Sequence, residues 1–167
     1  LFRSAFAMND RDQPEPRVIR SVEGIQSPVL SVSWNCSCTR LAAAVENGAI
    51  RIWNVKVDVS TQLIDQAIRF LELDKHEAGK MHIAWSPTHA DILVSVSEDK
   101  TIRLYDVISG ESNHLTTADA NSLVVWKPDG LSFLVGDIRG KLTRFDLREG
   151  NSLQNITSTA SYQHNSP

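Results

Sequence analysis

The side chains that could do chemistry include a close pair of cysteines, Cys36 and Cys38, in a Cys-x-Cys arrangement. A zinc-type metal site built on them would need two more ligands nearby, and none is suitably spaced. A disulfide closing so small a loop would be strained. We therefore interpret both as reduced thiols in a loop, which is typical of an intracellular protein.

Three histidines, His82, His89 and His114, are candidates for acid–base or metal chemistry together with Asp91 or Asp119. They occupy unrelated positions in the repeats described below, so we interpret them as surface or edge residues. The sequence contains neither a glycine-rich phosphate loop nor a Gly-x-Ser-x-Gly elbow. We predict no catalytic residue, no metal site, no cofactor and no small-molecule substrate.

Composition and charge narrow the class of protein further. The 167 residues are 41% hydrophobic and 22% charged, as in globular proteins of single-domain size. The net charge of −3 provides no overall basic field that would attract nucleic acid or an acidic membrane. Apolar runs reach about five residues, against the roughly 20 needed to cross a bilayer, and no signal peptide is visible.

The elements that must position any site are strands, and the clearest stretch is 92–107, ILVSVSEDKTIRLYDV. Apolar residues alternate with period two on both sides of a short polar break, Glu98-Asp99-Lys100. This pattern predicts two antiparallel strands joined by a tight turn. Because a lone hairpin is only marginally stable in water, it needs neighbours.

Those neighbours are repeats of the same unit. Residues 49–55 (AIRIWNV) and 141–147 (KLTRFDL) align with TIRLYDV at 101–107. In each unit a tryptophan precedes the aligned aromatic residue at a nearly constant distance of 19 or 20 residues. The pairs are Trp34 with Trp53, Trp85 with Tyr105, and Trp126 with Phe145.

Trp34, Trp85 and Trp126 recur after 51 and 41 residues. Units of about this length, with four short strands and an aromatic–Asp dipeptide, resemble WD repeats, the roughly 40–45-residue blades of β-propellers. The dipeptide is present as Trp53-Asn54, Tyr105-Asp106 and Phe145-Asp146. The resemblance implies an all-β fold, a partial arc of about three four-stranded blades.

The repeats divide the chain into five segments. Three are predicted blades: 27–75 with an extended loop, 76–115 with the best WD signature, and a degenerate blade at 116–157. Residues 1–26 are predicted to contain an N-terminal arm and, at 18–23, the outer strand of a preceding blade. Residues 158–167 are predicted to be a polar tail.

Three local features add detail. Pro14 and Pro16 disfavour regular structure near the start, and the first eight residues fit either a strand or a docked arm. Residues 56–73 fit a helix or a loop followed by a strand at 67–73. We favour the strand, because it comes directly before the second blade. Asn47-Gly48 predicts a type I′ hairpin turn.

An arc of three blades would leave apolar sheet faces in water at its two ends. At roughly 25 cal/mol per Å², several hundred Å² of such surface would cost about 10 kcal/mol, as much as a domain's whole stability. We therefore expect either that a longer parent chain supplies further blades or that the arc packs on a partner. We favour the longer chain, because the first residue, Leu1, is not methionine and residues 18–23 fit the end of an earlier blade.

In WD blades a histidine, a serine or threonine, an aspartate and a tryptophan form a buried hydrogen-bonded tetrad. The resemblance places His76, Ser95, Asp99 and Tyr105 at these positions of the second blade. Because a buried carboxylate is costly unless it is paired, the tetrad is expected to be structural rather than catalytic.

The outer blades keep only an aromatic residue of the tetrad, Trp53 in the first and Phe145 in the third. Other residue types occupy the polar positions, and we expect apolar packing to hold these blades. The replacing residues are Ile25, Ala43 and Asn47 in the first blade, and Thr117, Val135 and Arg139 in the third.

Because propeller blades pack face to face and leave loops at two rims, we expect a scaffold that presents loops to protein partners. An enzyme on the same fold is the alternative, and the sequence offers it no catalytic constellation. The candidate partner-binding residues are Glu46, Asn47, Glu77, Lys80, Glu98, Lys100 and Arg139.

Within the family, residues 27–150 resemble the first blades of the WD-repeat subunits of THO complexes, which act in transcription-coupled mRNA packaging and export. The resemblance rests on SVSWNCSCTRLA, on the stretch 80–107 and on SLVVWKPDGLSFLVGD. It implies a nuclear protein that binds other subunits and reaches RNA only through them. The other interpretation is a WD-repeat adaptor of a chromatin, ubiquitin-ligase or trafficking complex.

Overall fold

The structure is a computed structural model, and it describes residues 7–8, 14–15, 27–55, 70–73, 75–77, 79–147 and 156–163. All regular secondary structure among these residues is β-strand. A two-residue ladder pairs β1 (Ala7–Met8) with β2 (Pro14–Glu15). The other described strands form three four-stranded antiparallel sheets. The predicted all-β fold, a partial arc of propeller blades, is confirmed.

Each sheet is built from four strands consecutive in the chain, each paired with the next. The first blade contains β3 (Val29–Trp34), β4 (Arg40–Val45), β5 (Ile50–Asn54) and β6 (Phe70–Leu73). The second contains β7 (Met81–Trp85), β8 (Ile92–Ser97), β9 (Thr101–Asp106) and β10 (Ser112–Thr116). The third contains β11 (Asn121–Trp126), β12 (Ser132–Asp137), β13 (Lys141–Leu147) and β14 (Ile156–Gln163).

Two predictions need correction, one about local structure near Pro14 and one about the end of the third blade. Pro14 begins β2 although its neighbourhood was predicted to be irregular, and the first residue of a strand is a position where proline is tolerated. The strand β14 continues to Gln163, well past the predicted end of the third blade at 157. Its sequence ITSTASYQ is rich in β-branched residues, and it pairs along the whole length of β13. Much of the predicted polar tail is therefore an outer strand.

Other predictions lie wholly or partly outside the described residues. The strand predicted at 67–73 is present as β6 over Phe70–Leu73. The alternatives of loop or helix for 56–66, the outer strand at 18–23 and the position of Ile25 all fall outside.

The strand β8 shows how the blades stack, because all six of its residues are buried. Val94 and Val96 pack toward the third blade in a cluster that includes Phe133. Leu93, on the opposite face, packs in a second cluster with Ile52 of the first blade. Alternate residues of one strand therefore supply the two interfaces between the blades.

The innermost strands, β3, β7 and β11, share one hydrogen bond at both interfaces. Trp85 Nε1 donates to the carbonyl oxygen of Ser33 at 3.1 Å. Trp126 Nε1 donates to the carbonyl oxygen of Ala84 at 3.0 Å. Each acceptor comes directly before the tryptophan of the preceding blade, so the spacing of tryptophans in the sequence records the register between blades.

Side chains of the inner strands also accept backbone N–H groups from the next blade. Ser31 Oγ accepts from Ile83 N at 3.3 Å. His82, two residues before Ala84 and equivalent to Ser31, accepts at Nδ1 from Val124 N at 3.3 Å. His82 thus lies on an edge strand of its sheet, as predicted, but its side chain is half-buried and makes a contact with the next blade that the prediction did not include. Burial lowers the pKa of His82, which favours the neutral acceptor form.

We expect His82→Ser to make the free energy of unfolding less dependent on pH. The pKa of His82 is lower in the folded protein than in the unfolded chain. Its contribution is therefore fully present above the unfolded pKa of about 6.5 and decreases as the pH falls below that value. Serine supplies the acceptor that Ser31 supplies at the other interface, and it does not titrate.

Urea unfolding at about pH 7.5 and about pH 5.5 measures this effect, with His114→Ser on the outer strand β10 as the control. The wild type and the control should lose more stability on acidification than His82→Ser does. Equal losses in all three proteins would contradict the acceptor role of His82.

Candidate functional site

Three of the four predicted tetrad residues meet at one end of the second blade. His76 lies before β7, Ser95 lies in β8, and Asp99 lies in the turn between β8 and β9. His76 Nδ1 is 2.8 Å from Asp99 Oδ2, and His76 Nε2 is 2.6 Å from Ser95 Oγ. The His76 side chain is 0% exposed. Both ring nitrogens are therefore engaged by side chains of the same blade.

The electrostatics favour a neutral imidazole beside an ionised carboxylate. Burial lowers the pKa of His76 more than Asp99 raises it. Burial alone would raise the pKa of Asp99, but hydrogen bonds from Thr101 and His76 lower it overall. The neutral ring then donates from Nδ1 to the carboxylate and accepts at Nε2 from the serine hydroxyl.

Backbone groups and one further side chain complete the environment of Asp99. Its Oδ1 accepts from Thr101 N at 2.8 Å and from Thr101 Oγ1 at 2.7 Å. Its Oδ2 also accepts from Glu77 N at 3.1 Å. Sequence reasoning missed Thr101, although a hydroxyl residue directly after the turn was a usable signal.

The fourth predicted tetrad residue, Tyr105, is buried on the same face as Ser95. It lies opposite Leu93 in the β8–β9 pairing. Trp53 and Phe145, at the equivalent positions of the other blades, are also buried. The aromatic position is therefore part of the core in all three described blades.

In the second blade, Asp99 Oδ1 accepts a backbone amide of the turn, and side-chain oxygens do the same in the outer blades. Asn47 Oδ1 accepts from Ala49 N at 3.1 Å. In the third blade Asp137 Oδ1 accepts from both Arg139 N and Lys141 N, at 2.9 Å each. Asp137 thus takes over this role two residues before the expected position. The outer blades therefore keep a side-chain oxygen at the turn although other residue types replace the histidine and serine of the tetrad.

Each of these turns ends on a residue with left-handed backbone, Gly48 (φ 87°), Lys100 (φ 67°) or Gly140 (φ 79°). The amide of this residue donates to the carbonyl three residues earlier in all three turns. Asn47 does not have positive φ, so the predicted type I′ turn is wrong. The geometry is instead that of a three-residue hairpin loop with a bulge.

These turns and the connections between blades share one edge of the arc, which we call the first rim. His76 N donates to Gly48 O at 3.0 Å, and Thr117 N donates to Lys100 O at 2.8 Å. The first rim thus contains the turns at 46–48, 98–100 and 138–140. The opposite edge, the second rim, contains the turns at 35–39, 86–91, 107–111 and 127–131.

All seven predicted partner-binding residues lie on the first rim. Glu98 is half-buried, and its Oε2 accepts from Lys80 N at 3.2 Å, so it helps to hold the loop before β7. Arg139 Nε forms an ion pair with Asp119 at 3.1 Å. The exposed members are Glu46, Asn47, Glu77, Lys80, Lys100 and Arg139.

The second rim carries a polar contact between blades that the sequence analysis missed. Asn35 is buried, and its Oδ1 accepts from Thr39 N and Arg40 N at 2.9 Å each. Its Nδ2 donates to Ala90 O of the second blade at 3.0 Å. Arg40 forms an ion pair with Asp91 beside this contact. The signal available in the sequence was a polar residue directly after the inner-strand tryptophan.

Cys36 and Cys38 are exposed in the same turn, and neither forms a disulfide. Across the part of the chain that the structure describes, no group of three or more His, Cys, Asp or Glu side chains is placed to hold a metal ion. Within that same part, no helix has the length and apolar character needed to cross a bilayer.

Comparison with known proteins agrees with the blade architecture. The family model described as "WD domain, G-beta repeat" matches residues 16–54 and 69–106. The chain is 32% identical to THO complex subunit 3 of Arabidopsis thaliana over 131 residues, which is 78% of this chain. It is 31% identical to the WD repeat-containing protein AAC3 of Dictyostelium discoideum over 65% of its length. It is 28% identical to Protein NEDD1 of Mus musculus over 75% of its length.

The chain spans only part of each of these relatives. The aligned region is 40% of the Arabidopsis protein, 25% of the Dictyostelium protein and 18% of the mouse protein.

We expect Gly48→Ala to destabilise the protein more than Gly140→Ala. At Gly48 an added Cβ would lie 2.1 Å from the carbonyl oxygen of His76, whereas at Gly140 it would meet nothing within 4 Å. Both residues have left-handed backbone, so both variants pay about 1–2 kcal/mol for conformation. The clash should cost Gly48→Ala roughly 1–3 kcal/mol more. Equal urea midpoints would show that the contact between turn and connection is not tight.

We expect Asp99→Ala to lower the free energy of unfolding by roughly 1–3 kcal/mol, because it leaves the His76 ring and the turn amide without their acceptor. Asp99→Asn is the matched variant, since Asn47 fills the equivalent turn position in the first blade. It should retain the Oδ1 acceptor and lose less. Urea unfolding followed by tryptophan fluorescence measures both, and an unchanged midpoint for Asp99→Ala would rule out a stabilising tetrad.

Proposed function

Because this chain is a WD40-repeat protein, we propose that it is a non-catalytic adaptor that presents the first rim to protein partners. One observation carries the proposal: the side chains of His76, Ser95 and Asp99 are buried and bonded to one another, while charged side chains are exposed on the first rim. His76 has 0% side-chain exposure and uses both ring nitrogens within the blade. A buried ring so engaged is poorly placed to act on a substrate.

The partners are other subunits of a multiprotein complex, and we propose a THO-type complex in transcription-coupled mRNA processing and nuclear export. The similarity to a THO complex subunit over 78% of this chain supports this choice. A nuclear location follows from the same proposal. The net charge of −3 favours contact with RNA through partner subunits rather than directly.

An adaptor role in another complex is the second candidate, for example in chromatin, ubiquitin-ligase or trafficking assemblies. It is favoured by the similarity to AAC3 and NEDD1, at 31% and 28% identity, which is close to the value for the THO subunit. WD repeats are alike in sequence across many complexes, so co-purification must separate the two candidates.

Affinity purification of the tagged full-length protein, followed by mass spectrometry, tests the proposal. We expect THO subunits in near-stoichiometric amounts, retained after nuclease treatment, and a nuclear signal for the tagged protein. A stoichiometric set of partners without THO subunits would replace the THO assignment by the second candidate. Turnover by the purified protein that His76→Gln abolishes without unfolding it would overturn the adaptor role itself.

We expect the pair of substitutions Glu46→Lys and Glu77→Lys to weaken partner capture roughly tenfold, which is about 1.4 kcal/mol. Both side chains are exposed on the first rim, so the free energy of unfolding should change by no more than about 0.5 kcal/mol. Glu111→Lys, an exposed position on the second rim, is the matched control and should capture partners normally. Weaker capture by Glu111→Lys alone would place the contact on the second rim.

A further inference from the structure

The third blade contains a cavity of about 210 Å³ beneath the connection from β10 to β11. Its walls come from that connection and from the turn ends of β12 and β13. The residues that matter for its chemistry are Thr117, Asp119, Val135, Asp137, Lys141 and Phe145.

This cavity occupies the place that the His76 ring fills in the second blade. Thr117 lies nine residues before Trp126, as His76 lies nine residues before Trp85. The structure supports the equivalence, because the amides of Thr117 and His76 each donate to the last residue of the preceding blade's turn.

The other walls match the surroundings of the His76 ring in the same way. Val135 stands two residues after the partner of Trp126 in the sheet, as Ser95 stands two residues after the partner of Trp85. Phe145 holds the position of the buried Tyr105. The second blade is therefore an internal template for what the third blade's cavity accommodates.

The cavity remains open because Thr117 is short and bonds locally. Its Oγ1 is 2.9 Å from the carbonyl oxygens of Lys100 and Asp119, and it accepts from Asn121 Nδ2 at 2.9 Å. Val135 supplies no hydroxyl comparable to that of Ser95. Replacement of an imidazole by a threonine thus leaves a ring-sized space.

The walls offer complementary polar groups at one end and apolar surface at the other. Asp119 is paired with Arg139 at 3.1 Å, and Asp137 lies beside Lys141, whose amide it binds. The charges of the lining residues Asp119, Asp137 and Lys141, together with that of Arg139 paired to Asp119, sum to zero, which disfavours a charged ligand. Val135 and Phe145 supply the apolar surface that a flat ring would cover.

We propose that this cavity binds a neutral imidazole ring, the side chain of a histidine on a partner protein, in the place that His76 takes in the second blade. The ring N–H donates to a wall carboxylate, as His76 Nδ1 does to Asp99. The other ring nitrogen accepts from the Lys141 ammonium. The partner as source of the ring rests on the proposed adaptor function, whereas binding of the ring itself does not.

The first experiment titrates imidazole into the full chain and follows backbone amides by NMR. We expect saturable shifts at Thr117, Val135 and Lys141, with a dissociation constant on the order of millimolar. Binding should weaken at least tenfold between about pH 8 and about pH 5.5, because the probe becomes a cation. Methylammonium and acetate are the matched charged probes, and equal binding of either would overturn the proposal.

The double substitution Thr117→His and Val135→Ser rebuilds the second blade's residues and fills the cavity from within. It should abolish the imidazole shifts, and unchanged binding would overturn the site. If this variant does not fold, the wild-type shift map decides, since shifts scattered over exposed acidic residues contradict the site.

Partner capture by the same double variant separates this inference from the adaptor role. If the wild type binds imidazole and the double variant no longer captures the partner, the result supports a partner histidine in the cavity. Imidazole binding with normal capture by the variant would overturn the partner histidine but not the cavity. No imidazole binding with normal capture rejects the site and leaves the adaptor function standing.

Discussion

Hydrogen bonds between the innermost strands determine how one sheet is aligned on the next in this protein. Apolar side chains supply most of the favourable free energy, but they do not fix the register of one sheet on the next. Register comes from the tryptophan indole, which reaches the carbonyl just before the preceding blade's tryptophan at 3.1 Å and 3.0 Å. The acceptor at position 31 or 82 adds a second bond of the same direction. Trp85 and Trp126 therefore belong to the core, and their indole hydrogen bonds also align each blade on the preceding one.

The first rim meets a similar requirement at the tight turns, where backbone amides would otherwise be left without acceptors. Three different side chains supply the oxygen, Asn47, Asp99 and Asp137. Only at Asp99, among the described turns, does an imidazole also tie the turn to the connection before the blade. A side-chain oxygen at the turn is therefore present in all three described blades, whereas the imidazole is present only in the second. The cavity in the third blade lies where a threonine replaces the histidine.

The sequence predicted the elements well because burial on a pleated sheet requires period-two alternation, which 92–107 displays plainly. It predicted the contacts of His76 only through resemblance, since His76 and Asp99 are 23 residues apart and nothing local links them. The contact of His82 could not be predicted because its partner, Val124, belongs to another sheet. Asp137 was missed because equivalent oxygens need not be at equivalent positions. The turn at Asn47-Gly48 was mistyped because two turn geometries both place a glycine there.

The second blade, with its fully buried β8, lies between the two other described blades, and this placement has a consequence for cooperativity. In stacked repeats each unit is stabilised by its own contacts and by its nearest neighbours. A central unit that also carries the most complete polar network is expected to be the last of the three described blades to open. Among the described strands, amide hydrogen exchange should therefore be slowest along β8, because both faces of that strand are covered by neighbouring blades.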